Sequence, residues 1–248
     1  MSYQFRSKVR YSETDESGRL TLTAILNYFQ DCCTFQSEEV GLGMERLRKV
    51  HRGWVLSSWQ IDIDRYPDHG EELVVETWPY DFKGFLGMRN FLLSTAKGEV
   101  LCKANTIWSF MDADAGIPVK LKPEDISAYE LEPKLDMEYA PRKIKLPEKG
   151  EKREGFLVQK HHLDTNHHVN NSQYIQMASE YLPEDFQIKR MRAEYKIQAR
   201  LGDRIYPWVS WEEGRSVVSL NQEDGKPYAI VEYLQNKLEK GEEGMIQL

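Results

Sequence analysis

Two stretches of the chain carry the same order of apolar and polar positions. One begins at Tyr11 and reads YSETDESGRLTLTAILNYFQD; the other begins at His162 and reads HLDTNHHVNNSQYIQMASEYL. With Asp15 placed over Asp164, Gly18 falls on His167, Leu20 on Val169 and Leu26 on Ile175. Each stretch predicts a strand end, a polar turn and a helix. In the second helix Tyr174, Ile175, Met177, Ala178, Tyr181 and Leu182 recur at the i, i+3, i+4, i+7 spacing of one buried face, and Pro183 ends it. Leu22, Ile25, Leu26, Phe29, Cys32 and Cys33 do the same in the first. Neither helix has a wide polar face, so both are expected to be largely buried.

After each helix the alternation becomes that of strands. The first half gives WVLSSWQIDIDRY, a turn at Pro67–Gly70, ELVVETWPYDF, and then GMRNFLLSTAKGEVLCKANTIWSFMDADAG with Lys97-Gly98 as a hairpin turn. The second half gives MRAEYKIQARL, a turn at Gly202-Asp203, RIYPWVSWEEG and SVVSLNQEDGKPYAIVEYLQ. The stretch between them is Pro-rich and charged, with little periodicity, and reads as a linker long enough to cross the face of a domain.

The expected class is therefore α+β, a tandem (double) hot-dog in which each half wraps an antiparallel sheet around a central helix. Residues 1–112 form the first repeat, a scaffold and substrate wall, and 113–152 the linker. Residues 153–235 form the second, chemistry-bearing repeat, and 236–248 a flexible tail. Single domains of this kind usually pair, whereas a tandem chain supplies both halves and leaves them free to diverge.

Composition narrows the function. Of 248 residues 40% are hydrophobic and 29% charged, as in an ordinary soluble protein. No run approaches the roughly 18 apolar residues of a membrane span. The start, Met1 to Arg10, has no apolar core of a signal peptide and does not read as a transit peptide, so a cytoplasmic location is expected. The three cysteines include the adjacent Cys32 and Cys33 in an apolar stretch, without metal-ligand spacing, and read as buried free thiols. A net charge of −7 argues against general affinity for nucleic acid or an anionic membrane.

The strongest local anomaly is a histidine cluster. Four of the six histidines lie within His161–His168, in the run HHLDTNHHVNN that leads into the second helix. A strand end meeting a buried helix N-terminus offers unpaired N–H groups and a dipole that favours negative charge, which suits a thioester oxyanion. Asn170 or Asn171 can cap the helix, and both are candidate substrate contacts. His168 can act as a base near neutral pH. Asn166 can hold a water or the thioester carbonyl, and Asp164 can fix Asn166 or accept hydrogen bonds from the turn. In the first half Ser17 stands in place of Asn166 and Arg19 in place of His168, so one active site per chain is expected.

The run Asp164-x-Asn166-x-His168-Val169-Asn170-Asn171, followed by Tyr174-Ile175, resembles the active-site motif of acyl-acyl carrier protein (ACP) thioesterases of the plant and bacterial type. The resemblance extends from SETDESG through WVLSSWQIDIDRYP to EYKIQARLGD, nearly the whole chain. It implies release of free fatty acid from acyl-ACP in fatty acid biosynthesis, with Asp164, Asn166 and His168 as catalytic residues. It also implies no metal and no organic cofactor. The plant enzymes, similar at Glu194-Tyr195, continue to a Glu-Cys pair where this chain has Gln198-Ala199. Ala199 cannot be a nucleophile and Gln198 cannot be a general base, though Gln198 can hold a water. The base role shifts toward His168.

Other readings of the same residues stand beside this one. His161, His162, Asp164, His167 and His168 are capable metal ligands, but adjacent histidines on a strand would point to opposite faces. The polar residues could simply build a turn and cap a helix. An acyl-CoA thioesterase, a hot-dog dehydratase with Glu194 as its acid, and a non-catalytic acyl binder are the functional alternatives. Trp54, Leu56, Trp59 and Met88 are candidates for the wall of an acyl tunnel, core packing being the default for such residues. An acidic carrier protein could dock on Arg142, Lys143 and Lys145 or on Lys189, Arg190 and Arg192. A homodimer is compatible with the sequence.

Overall fold

The computed structural model describes residues 2–235; the expected tail at 236–248 lies outside the described residues. The first half runs β1 (Tyr3–Lys8), α1 (Leu22–Glu39), α2 (Met44–Lys49), β2 (Arg52–Ile63), β3 (Glu72–Lys83), β4 (Leu86–Thr95) and β5 (Val100–Asp112). There follow β6 (Ile117–Pro118), α3 (Pro123–Ile126), β7 (Glu151–Lys152) and β8 (Phe156–Leu157). The second half then runs α4 (Asn171–Ser179), β9 (Ile188–Tyr195), β10 (Arg204–Glu212), β11 (Arg215–Asn221) and β12 (Pro227–Gln235).

The strands form one antiparallel sheet in the order β1-β3-β4-β5-β2-β9-β12-β11-β10-β7, with β6 on β5 and β8 on β10. Each half meets the other at β2 and β9, paired from Ser58↔Glu194 to Asp62↔Arg190. The two long helices lie against one face and touch each other. This is the expected tandem hot-dog.

Apolar spacing dictates what each helix buries. In α1, Leu22, Ile25, Leu26, Phe29, Cys32 and Cys33 all face the core, and the Thr21 hydroxyl caps the helix by accepting the Ala24 N–H at 3.2 Å. Phe29 meets Trp59 and Phe91 with ring centroids 6.0 and 5.1 Å away. Full burial of side chains of this size is worth about 1.5–3 kcal/mol each. A bulge between Leu56 and Ser58 re-registers β2, so Leu56 and Trp59, three apart, both reach the core. Two expected boundaries move. Helix α4 stops at Ser179, so Tyr181 and Leu182 pack on the core from the turn beyond it. Strand β9 stops at Tyr195, because the N–H groups of Lys196 and Ile197 turn to the Tyr228 carbonyl and release the chain from the sheet.

Beyond Tyr129, whose hydroxyl meets Ser37 of α1 at 2.8 Å, residues 133–145 strap the opposite face of the sheet. The Trp78 indole N–H donates to the Pro133 carbonyl at 2.8 Å. The Gln60 amide donates to the Glu138 carbonyl at 2.7 Å and accepts from the Ala140 N–H at 2.9 Å. Asn90 accepts from the Leu135 N–H and the Tyr139 hydroxyl. Buried Glu194 accepts the Ile144 N–H at 3.2 Å and pairs with Lys196. No described helix is long and apolar enough to cross a membrane.

Candidate active site

The two aligned turns share one hydrogen-bond frame. In the first, Asp15 Oδ1 accepts from the N–H groups of Ser17 and Arg19; in the second, Asp164 Oδ1 accepts from those of Asn166 at 2.8 Å and His168 at 3.2 Å. The N–H of Gly18 donates to the Asp15 carbonyl, and that of His167 to the Asp164 carbonyl. Gly18 has φ +78° and His167 φ +61°, the left-handed conformation that glycine adopts without strain and histidine does not. The neighbours correspond as well. Leu20 donates to Pro67 and Val169 to Ala199, while Arg19 bridges Asp68 and His168 bridges Arg200. A three-residue helical turn precedes each, Tyr11–Glu13 and Lys160–His162. There the Glu13 carboxylate accepts the Arg10 N–H, and His162 Nδ1 accepts the Gln159 N–H at 3.0 Å.

Asp164 thus acts on Asn166 through its backbone. The Asn166 side chain is exposed and free to face an incoming group. His168 is half-buried. Burial and the neighbouring Arg200 guanidinium hold its pKa below the usual histidine value, against the opposing pull of Asp164. His168 pairs antiparallel with Arg200, and side chains alternate along an extended segment. Gln198 and Arg200, both exposed on either side of buried Ala199, lie on the side of this segment turned away from the core. Ala199 points the other way, into the core, its N–H donating to the Tyr174 hydroxyl at 2.9 Å.

Helix α4 begins beside this turn. Asn170 is its N-cap, accepting the Ser172 N–H at 2.9 Å, and the Tyr195 hydroxyl holds the Asn171 carbonyl at 2.9 Å. The Asn171 N–H precedes any carbonyl that the helix itself could offer. The Gln30 amide of α1 reaches Asn170 Oδ1 at 3.5 Å. Further along α1, Cys33 and Ser37 line a pocket with Trp54, Gly87, Met88, Arg89, Trp108 and Tyr129, with about 410 Å³ of empty space, part of it open to solvent. Trp54 and Met88 are thus in the pocket wall, whereas Leu56 and Trp59 sit in the core away from it.

Several expectations need correction. His161 and His162 lie in a helical turn and not on a strand, with rings 4.1 Å apart, so opposite strand faces do not separate them. His162 Nδ1 is already occupied, and among the described residues no three His, Cys, Asp or Glu side chains are grouped to hold a metal. Glu194 faces the strap, opposite to the core-facing Ala193 and Tyr195, and so cannot serve as a dehydratase acid beside His168. Of the basic candidates, Arg190 pairs with Asp62 and Glu138, Arg192 with Glu232, and the Lys189 ammonium donates to the Asp64 carbonyl. That cluster binds the chain to itself. Sequence reading missed Arg200 and the Tyr174 hydroxyl. Aligning the turn at Pro67–Gly70 with that at Ala199–Gly202 would have singled out Arg200, since Asp68 stands there in the first half.

Comparison with known proteins bears on the whole chain. Residues 1–129 match the acyl-ACP thioesterase N-terminal domain and residues 145–231 the acyl-ACP thioesterase C-terminal domain. Among relatives, oleoyl-acyl carrier protein thioesterase 2, chloroplastic, of Arabidopsis thaliana is 26% identical over 88% of this chain, and oleoyl-acyl carrier protein thioesterase 1 of the same plant is 28% identical over 75%. The chain spans 65% and 56% of those proteins' length. Two solved structures share the fold. An acyl-ACP thioesterase from Bacteroides thetaiotaomicron has TM-score 0.86 at 20% identity, covering 94% of this chain and 97% of its own. The 12:0-ACP thioesterase from Umbellularia californica has TM-score 0.82 at 18% identity, covering 94% and 96%. Both domain matches, in order and separated only by the strap, place this chain in the acyl-ACP thioesterase family.

Proposed function

We propose that the protein hydrolyses the thioester of acyl-ACP, releasing free fatty acid, at the turn Asp164–His168. The observation that carries this is the contrast between two turns with one backbone frame. Only the second presents an imidazole and an amide beside a capped helix N-terminus, where the first presents Arg19 and Ser17.

The neutral imidazole of His168 takes a proton from a water held by Gln198 and Asn166. The resulting hydroxide attacks the thioester carbonyl carbon. The oxyanion of the tetrahedral intermediate is met by the Asn171 N–H, which neither the helix nor its Asn170 cap engages, and by the positive end of the α4 dipole. When the intermediate collapses the C–S bond breaks, and the imidazolium returns its proton to the leaving thiolate. Asp164 keeps the loop closed and stabilises the imidazolium. No metal or organic cofactor enters this scheme.

The acyl chain follows α1. Gln30 touches the α4 cap, and Cys33 and Ser37, one and two turns on, line the pocket. At a rise of about 1.5 Å per residue the carbonyl end and the pocket lie roughly 5–10 Å apart along the helix. The chain therefore enters between the halves and ends among Trp54, Met88 and Trp108.

The test is fatty acid release from a series of acyl-ACPs. His168→Ala and Asn166→Ala should each lose about 10²–10³ of kcat while keeping the wild-type circular dichroism spectrum, and a chelator should leave the rate unchanged. Full activity in His168→Ala would remove the site assignment.

A further inference from the structure

The two turns share a backbone and differ in what surrounds it. Around the second, exposed Lys160, Arg200 and Arg204 alternate with three exposed aliphatic side chains, Leu157 (50% exposed), Ile197 (42%) and Leu201 (51%). The shared frame maps these positions onto the first half one by one. The Gly202 N–H donates to Val158 as that of Gly70 does to Val9, and the Asp203 N–H donates to Arg200 as that of Glu71 does to Asp68. The corresponding first-half residues are therefore Tyr11, Asp68 and Glu72 for the cations, and Lys8, Arg65 and His69 for the aliphatics. Every cation of the second rim is replaced by a neutral or acidic group, and every aliphatic by a charged or polar one.

Backbone architecture does not require this difference, because the first half builds the same turn without it. About half of each of these aliphatic side chains is left open to solvent, and large exposed apolar side chains grouped at one rim mark an interaction surface. None of the three cations takes part in an ion pair among the described residues, although Arg204 also donates to the Gly155 carbonyl. In the first half Arg10 pairs with Glu13, and Arg65, the counterpart of Ile197, pairs with Glu71 and Glu99. Against a net charge of −7 for the whole protein, a local cluster of unpaired cations is a place where an acidic partner is drawn.

We propose that Lys160, Arg200, Arg204, Leu157, Ile197 and Leu201 form the docking surface for the carrier protein. They would seat an acidic amphipathic helix whose carboxylates meet the cations and whose apolar ridge meets the aliphatics. The proposal rests on the acyl-ACP reading above. It places the carrier beside His168, where a flexible prosthetic arm delivers its thioester to the start of α4. Of the two clusters suggested by the sequence, the one at 189–192 is held in internal pairs, and the proposed surface is separate from that at 142–145.

The experiment compares acyl-ACP with the acyl-pantetheine of the same chain length, which lacks the carrier. The variants are Lys160→Glu/Arg204→Glu, Leu201→Asp, and Asp68→Lys at the exposed first-half counterpart of Arg200. For the first two, the ratio of kcat/KM on acyl-ACP to that on acyl-pantetheine should fall about tenfold or more, chiefly through KM. Added salt should raise the wild-type KM for acyl-ACP and affect the double variant much less. Asp68→Lys should leave the ratio unchanged. An unchanged ratio in the rim variants, or equal losses on both substrates, would overturn the docking surface while leaving the hydrolase reading intact. Wild-type protein inactive on both thioesters would overturn the hydrolase reading, and the docking surface with it.

Discussion

His167 occupies a left-handed conformation that its counterpart Gly18 adopts without cost. A β-branched residue there meets its own backbone, at about 1–2 kcal/mol. His167→Val should therefore lower thermal stability by that order, and His167→Gly should hold or slightly raise it; differential scanning calorimetry separates the two. If valine were tolerated as well as glycine, the turn would not have the geometry described. The neighbouring His168 makes a prediction in pH. Its depressed pKa keeps the ring neutral, and able to take a proton, to lower pH than an ordinary histidine. Activity on acyl-pantetheine should therefore hold through neutral pH and fall on an acid limb that lies below about 6.5. Arg200 disfavours the imidazolium, so Arg200→Gln should raise the pKa and move that limb to higher pH. A limb that stays in place would show that Arg200 does not act on the titrating group. At this scale the shared frame of the two turns, and the different side chains they carry at 166 and 168, were readable in the sequence, because the duplicated turn supplies its own control. It was less readable for Arg200, thirty-two positions away, whose meaning depends on a pairing between segments.

At the scale of elements, three tyrosine hydroxyls fasten the second helix. Tyr174 accepts the Ala199 N–H, Tyr195 donates to the Asn171 carbonyl, and Tyr233 donates to the Ile175 carbonyl at 2.8 Å. Tyr174→Phe would leave the Ala199 N–H buried without a partner, at about 1–3 kcal/mol. It should lower the unfolding free energy in urea by that amount. It should also reduce kcat, since Gln198 and Arg200 flank the loosened residue. Loss of stability with kcat unchanged would separate the tether from the chemistry. The buried faces of α1 and α4 follow directly from apolar spacing. Their ends do not: α4 stops four residues before Pro183, because Tyr181 and Leu182 find core contacts without continuing the helix. Likewise MRAEYKIQARL alternates like one strand, yet the chain leaves the sheet after Tyr195. Tyr228 offers its carbonyl to Lys196 and Ile197, and the Ala199 carbonyl accepts the Val169 N–H beside the turn at 164–168. Local periodicity carries no record of such competing partners.

Across the whole molecule, one sheet runs through both halves at the β2–β9 seam, and the strap crosses the outer face of both. The Arg190 guanidinium joins three segments at this seam, bonded to Asp62 of β2 at 2.6 Å and to Glu138 of the strap at 3.0 Å. The halves should therefore unfold together, in a single calorimetric transition. Two separated transitions would mean that the seam is weaker than its pairing suggests. The repeat and its antiparallel strands were visible in the alternation of residues. The polar layer beneath the strap was not, because Gln60, Asn90 and Glu194 look like surface residues until the strap covers them.

The seam also bears on how the protein responds to dilution. A site assembled from two separate chains dissolves when its concentration falls below the affinity that holds the chains together, and its specific activity then declines. Here Gln30 of one half and Asn170 of the other belong to the same polypeptide, tied by five paired residues of sheet. Turnover per chain should thus be the same at trace and at abundant concentrations, leaving the rate set by the amount of protein alone.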